Sequence, residues 1–277
     1  MPTIREAYFE ALKLGAPKEI ATFALQEING FNHLELTKHF DDEIKSYPFF
    51  IESIKRYLDG EMIEYIFNKS YFLSTPFYVD KNVLIPRQET EQLVLETKKL
   101  IDEFFKAQKI TIADVCSGSG IIGLSLKKML PSNDCYLSDI SKEAIRVSKT
   151  NAKNLGLNDG IFFFEGDMLK PFIVNNIRLD AIVCNPPYIK DINTIDERTW
   201  KQEPHLALLA DPDTKFYEDV LLNSSHVLNK KHLMAFEIGE DMEGSLTELV
   251  KKYCPNSEFY FQKDIYGKTR FLFIKHQ

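Results

Sequence analysis

No apolar run in this sequence is long enough to span a bilayer, and the charged, amphipathic start "MPTIREAYFE" reads as neither a signal peptide nor an anchor. Cysteine is scarce: the four present (Cys116, Cys135, Cys184, Cys254) form no CxxC pair. That spacing excludes a disulfide frame or a zinc site and points to reduced thiols in the cytoplasm. The six histidines show no metal-ligand spacing either, so no metal is expected. Basic charge is also short. The net charge is −7, and residues 1–80 carry 8 basic against 13 acidic side chains. Long nucleic acid is normally gripped by a basic stripe, which is missing here. A stable nucleic-acid or membrane partner is therefore not expected, and a protein or small molecule is.

What is present divides at about residue 72. Before it, the periodicity is helical. Thr3 and Glu6 have the spacing of a capping box, Ile4, Ala7, Tyr8, Ala11 and Leu12 line one face, and Gly15 can close the helix. Pro17 opens a second helix, and "FFIESIKRYLDG" a third. No group of catalytic type stands out, so residues 1–71 are expected to be a helical accessory or recognition domain, or equally a structural cap on the larger one. Residues 72–86 read as a β-hairpin linker turning at Asp80-Lys81-Asn82. From residue 87 to 277 strands alternate with helices, the signature of an α/β parallel sheet covered on both faces. The last two strands are joined too briefly for a crossover, so an antiparallel edge is expected.

Chemistry concentrates at the strand ends. "ADVCSGSGIIG" follows the first strand of the sheet, and Gly118, Gly120 and Gly123 satisfy G-x-G-x-x-G. Asp139 ends the next strand, 19 residues beyond Gly120. That spacing suits a ribose held by the acid and a dinucleotide beside a helix N-terminus. It suits S-adenosylmethionine equally well, and Asp114 favours that ligand. A carboxylate repels pyrophosphate, whereas S-adenosylmethionine carries an ammonium and a sulfonium. In "EGDMLKP", Asp167 could read adenine and Met168 could pack on its ring.

The fourth strand runs into "IVCNPPYI", residues 182–189. Proline cannot donate to a ladder, so the strand must stop there. Asn185 offers an amide oxygen, Pro186 a carbonyl with no competing N–H, and Tyr188 a flat face for stacking. Pro186 and Pro187 stiffen the turn. Two acceptors and an aromatic plate suit a planar –NH2 group whose nitrogen attacks a methyl carbon. Asn185, Pro186 and Tyr188 are the catalytic candidates.

With these motifs, together with "VLIPRQETEQLV", "YLSDIS", "EPHLALLAD", "FEIG" and "DIYGKTR", the sequence resembles the peptide chain release factor glutamine N5-methyltransferases over nearly its whole length. The resemblance implies a class I methyltransferase fold, Rossmann-like with a mostly parallel sheet, and a small N-terminal helical domain that helps dock the release factor. It implies S-adenosylmethionine as cofactor, contacted by Cys116, Ser117, Gly118, Ser119, Gly120, Asp139, Met168 and Asn185. The implied substrate is the glutamine of the release factor's Gly-Gly-Gln motif, held by Asn185, Pro186, Pro187 and Tyr188. Three positions depart from the family's usual residues: Cys116 stands for glycine, Met168 for tryptophan and Gln202 for an aromatic. Other readings remain open at this point: a methyltransferase acting on amino groups of nucleic-acid bases, an NAD-dependent oxidoreductase, and a non-catalytic release-factor-binding module.

Overall fold

A computed structural model describes residues 1–157 and 159–277. The chain forms two compact units: residues 1–69 with 197–202, and residues 70–196 with 203–277. In the first, α1 (Ile4–Lys13) begins with both bonds of the Thr3–Glu6 capping box and buries Ile4, Ala7 and Ala11. Pro17 precedes α2 (Lys18–Asn29), which ends at Gly30 in the left-handed conformation. Two short helices not expected from the pattern, α3 (His33–Lys38) and α5 (Ile63–Phe67), flank α4 (Tyr47–Leu58). Ile4, Leu25, Ile44, Phe50 and Ile54 make a small core of their own. A helix from far along the chain, α10 (Glu197–Gln202), belongs to this unit. Its Arg198 guanidinium lies 4.1 Å from the centre of the Tyr57 ring and donates to the Tyr57 carbonyl at 3.2 Å, a cation–π contact with a hydrogen bond.

The second unit opens with a hairpin, β1 (Ser70–Phe72) and β2 (Thr75–Phe77). It turns at Leu73-Ser74, both with φ near +50° (47° and 58°), the hand that matches strand twist. The turn expected at Asp80-Lys81-Asn82 exists, but closes a loop, with the Asn82 N–H bonded to the Asp80 carboxylate. Then come α6 (Gln88–Phe105), β3 (Thr111–Val115), α7 (Ile121–Met129), β4 (Asp134–Asp139), α8 (Lys142–Asn154), β5 (Ile161–Glu165), α9 (Lys170–Val174) and β6 (Leu179–Cys184). They are followed by α11 (Lys215–Val227), β7 (Leu228–Glu237), α12 (Glu243–Tyr253), β8 (Glu258–Lys263) and β9 (Thr269–His276).

Seven strands make one sheet in the order β5-β4-β3-β6-β7-β9-β8. The first five run parallel, and β9 pairs antiparallel with both β7 and β8. The antiparallel pairing expected at this side therefore comes from β9, seated one place in from the edge. Alternation sorts side chains between two cores. Ala181, Val183, Phe271 and Phe273 face α6 and α7, while Ile182, Cys184, Leu272 and Ile274 face α11 and α12. This is the Rossmann-like methyltransferase architecture. Winding reverses between β3 and β6, and a crevice opens at the carboxyl ends of such a pair.

Candidate active site

The crevice lies where the topology puts it. It measures about 1060 Å³ with its open mouth included. Cys116–Ser119 line it from the turn after β3, Asp139 from the end of β4, Asp167 and Met168 from beyond β5, and Asn185 and Pro187 from beyond β6. Residues far apart in sequence complete the wall: Arg87, Thr90, Leu206 and Phe216. Arg87 holds the buried Glu203 carboxylate at 2.7 Å.

The turn after β3 is built on steric necessity. Gly120 has φ +81°, and a Cβ there would sit 2.8 Å from the Ser148 Cβ and 3.1 Å from Leu124 and Leu137. Only glycine lets α7 begin so close to α8. Asp139 closes the turn from the next strand, accepting the Gly118 N–H at 2.8 Å and the Ser141 N–H at 2.9 Å. Burial nevertheless raises its pKa above the usual carboxylate range, opposed by those backbone bonds. Beside it the Ser117 hydroxyl is buried without a hydrogen-bond partner. A carboxylate with spare lone pairs, an unsatisfied hydroxyl and an apolar wall of Ile121, Ile122 and Met168 fit a nucleoside with a polar ribose.

Four expected site residues do not line the crevice. Asp114 sits behind the turn, 1% exposed, with one oxygen accepting the Gly123 N–H at 2.8 Å and the other without a partner. Burial pushes its pKa up to about 7. A carboxylate expected beside the ligand thus braces the start of α7 instead. Gly120 is packed against α8, and Pro186 is buried. Tyr188 packs on the core beneath β7. Its hydroxyl faces Arg270 and Glu237, and burial takes its pKa to about 12.

Asn185 is held by partners the sequence did not single out. Its Nδ2 donates to the Thr90 hydroxyl at 3.2 Å, and that hydroxyl donates to the Glu237 carboxylate at 2.7 Å. The Asn185 side chain also favours the ionised form of that carboxylate. Thr90 is 1% and Glu237 2% exposed. The available signal was an acid ending the apolar run "LMAFE", the kind of group that is rarely buried unless paired.

Comparison with known proteins settles the family. Residues 91–202 match the model of the methyltransferase small domain. The release factor glutamine methyltransferase of Staphylococcus aureus is 31% identical over 284 residues, covering 99% of this chain and 100% of that protein. The one from Bacillus subtilis is 36% identical over 234 residues, covering 83% and 80%. The chain belongs to the release factor glutamine methyltransferase family. Solved structures of other methyltransferases share this family member's fold at low identity. A ribosomal protein L11 methylase from Lactobacillus delbrueckii superposes with a TM-score of 0.51 at 18% identity over 69% of this chain and 80% of its own. The METTL16 methyltransferase domain gives 0.55 at 16% over 72% and 87%. Among the described residues no group could hold a metal ion, and no helix is long and apolar enough to cross a membrane.

Proposed function

We propose that this chain transfers a methyl group from S-adenosylmethionine to the side-chain amide nitrogen (N5) of the glutamine in the Gly-Gly-Gln motif of peptide chain release factors. Family membership over the full length supports the reaction class. The observation that carries the site is the Asn185 amide, whose nitrogen donates to a Thr90 hydroxyl that is itself held by Glu237. Its oxygen is thereby left as an acceptor at the crevice wall, which is what a substrate –NH2 requires.

Asp139 would hold the ribose hydroxyls of the cofactor. Ser117, Gly118 and Ser119 would flank its methionine part, and Met168 and Asp167 its adenine. Bound there, S-adenosylmethionine supplies an electrophilic methyl carbon on a sulfonium. Asn185 accepts one N–H of the glutamine amide, and the Pro186 carbonyl accepts the other only if the turn shifts when substrate binds; these bonds raise electron density on a nitrogen whose lone pair is otherwise delocalised. Holding that nitrogen in line with the methyl carbon removes an entropic part of the barrier. The proton leaves afterwards to water, so no dedicated base is needed. Tyr188 supports this turn from beneath and presents its ring only if the turn shifts when substrate binds. We place the helical unit in release-factor docking and the reaction in the cytoplasm, where four unpaired thiols persist.

Purified protein, S-adenosylmethionine and a bacterial release factor, followed by peptide mass spectrometry, test this reading. One methyl on the Gly-Gly-Gln glutamine is expected. Asn185→Ala should lower the rate roughly tenfold to a hundredfold, the equivalent of one hydrogen bond worth about 1–3 kcal/mol. Label that appears only in RNA or DNA, or full activity in the variant, rejects it.

A further inference from the structure

Asparagine is ambiguous: rotated by half a turn, the same side chain presents –NH2 where it presented an oxygen. An –NH2 facing the substrate amide would set donor against donor. Something in the fold must therefore fix which end of Asn185 faces the crevice. We propose that Glu237, acting through Thr90, is that positioning group, and that it makes the site selective for a substrate that donates hydrogen bonds. The inference rests on the glutamine-methylation reading and deepens it.

The geometry runs in one direction. An ionised carboxylate can only accept, so the single hydroxyl proton of Thr90 is committed to Glu237 Oε2 at 2.7 Å. The Thr90 oxygen can then only accept, and it takes the Asn185 Nδ2 proton at 3.2 Å. By that bond the nitrogen end is tied inward. All three groups lie in one unit, on α6, after β6 and at the end of β7. Thr90 and Glu237 are almost wholly buried, so while Glu237 is ionised water does not compete for these bonds. The backbone at Glu237 is fixed as well, since its carbonyl accepts the Tyr217 hydroxyl at 2.8 Å. Threonine is the natural relay, having one proton to give and lone pairs to receive.

The relay works only while Glu237 is ionised. Burial raises its pKa to about 7, and Glu89 on α6 pushes the same way. Thr90, Asn185 and Arg270 on β9 favour the anion, and the Tyr188 hydroxyl faces the same carboxylate. Arg270 is itself shared with Asp264. Protonated Glu237 can donate to Thr90, whose proton is then free to turn toward Asn185 and admit the inverted amide. Activity should therefore fall as pH drops through about 7.

Thr90→Val keeps the side-chain shape and removes the relay; Thr90→Ser keeps the hydroxyl. With a release factor as substrate, Thr90→Val is expected to lower kcat about 10- to 100-fold, with S-adenosylmethionine affinity, measured by calorimetry, within about twofold. Thr90→Ser should recover most of the rate. Glu237→Gln provides the second measurement, since the acid limb of the wild-type kcat profile should disappear in it. Wild-type kcat in Thr90→Val, a loss confined to cofactor affinity, or an unchanged acid limb in Glu237→Gln overturns the relay while leaving glutamine methylation standing. Absence of methylglutamine with the wild-type protein overturns both.

Discussion

Cys116 is the first residue after β3 and has φ +58°, a conformation that costs a side chain about 1–2 kcal/mol. Its sulfur lies 3.5 Å from that of Met168, which is itself at φ +48°. The two residues are thus in contact, one thioether filling beside one thiol. Cys116→Gly relieves the backbone but gives up about 0.5–1 kcal/mol of chain entropy. Stability by urea unfolding should change by less than about 1 kcal/mol. Calorimetry should show tighter S-adenosylmethionine binding, because the wall of the crevice loses a side chain; weaker binding would refute this account. Asn185 makes a complementary case. Its residue type was informative in the sequence, but the bond that ties its nitrogen comes from Thr90, 95 residues before, whose hydroxyl is held by Glu237, 52 after.

Among the elements, the β3–α7 turn shows that glycines of one motif are not equivalent. A Cβ at Gly118 would meet nothing within 4 Å, whereas one at Gly120 would collide with Ser148, Leu124 and Leu137. Gly118→Ala therefore costs only the conformational strain of about 1–2 kcal/mol. Gly120→Ala adds overpacking and should cost about 2–5 kcal/mol in all. Chemical unfolding of the two variants separates them, and equal losses would mean that α7 yields where the packing says it cannot. The hairpin teaches the opposite lesson. Leu73-Ser74 carries a turn for which Asn-Gly is the common choice, so residue preference pointed instead to Asp80-Lys81-Asn82. Helix α10 was equally hidden, because a six-residue helix that completes a distant unit has no local period long enough to read.

At the scale of the whole molecule, an acidic protein buries several of its acids. Asp114 and Glu237 ionise near pH 7 in the folded chain against about 4 when unfolded. Between those values these two groups bind more protons in the folded state, so their contribution to stability falls as pH rises from about 4 to about 7. Asp114→Asn, which retains an acceptor for the Gly123 N–H, should flatten the slope of unfolding free energy between pH 5 and pH 7 by up to about 1.4 kcal/mol per pH unit. Parallel slopes in variant and wild type would show that Asp114 is already ionised. The amino-acid sequence alone determined what is local or periodic: the Thr3–Glu6 cap, the alternation that sorts β6 and β9 between two cores, and the proline stop after Cys184. It also placed the acid at the end of β4, because ligand crevices form at strand termini. Only the tertiary structure decided the outward face of the Asn185 amide, the retreat of Asp114 behind the loop, and the seating of β9 between β7 and β8. Those depend on groups brought together from distant parts of the chain, where burial changes what a carboxylate or an amide can do and no spacing along the sequence records it.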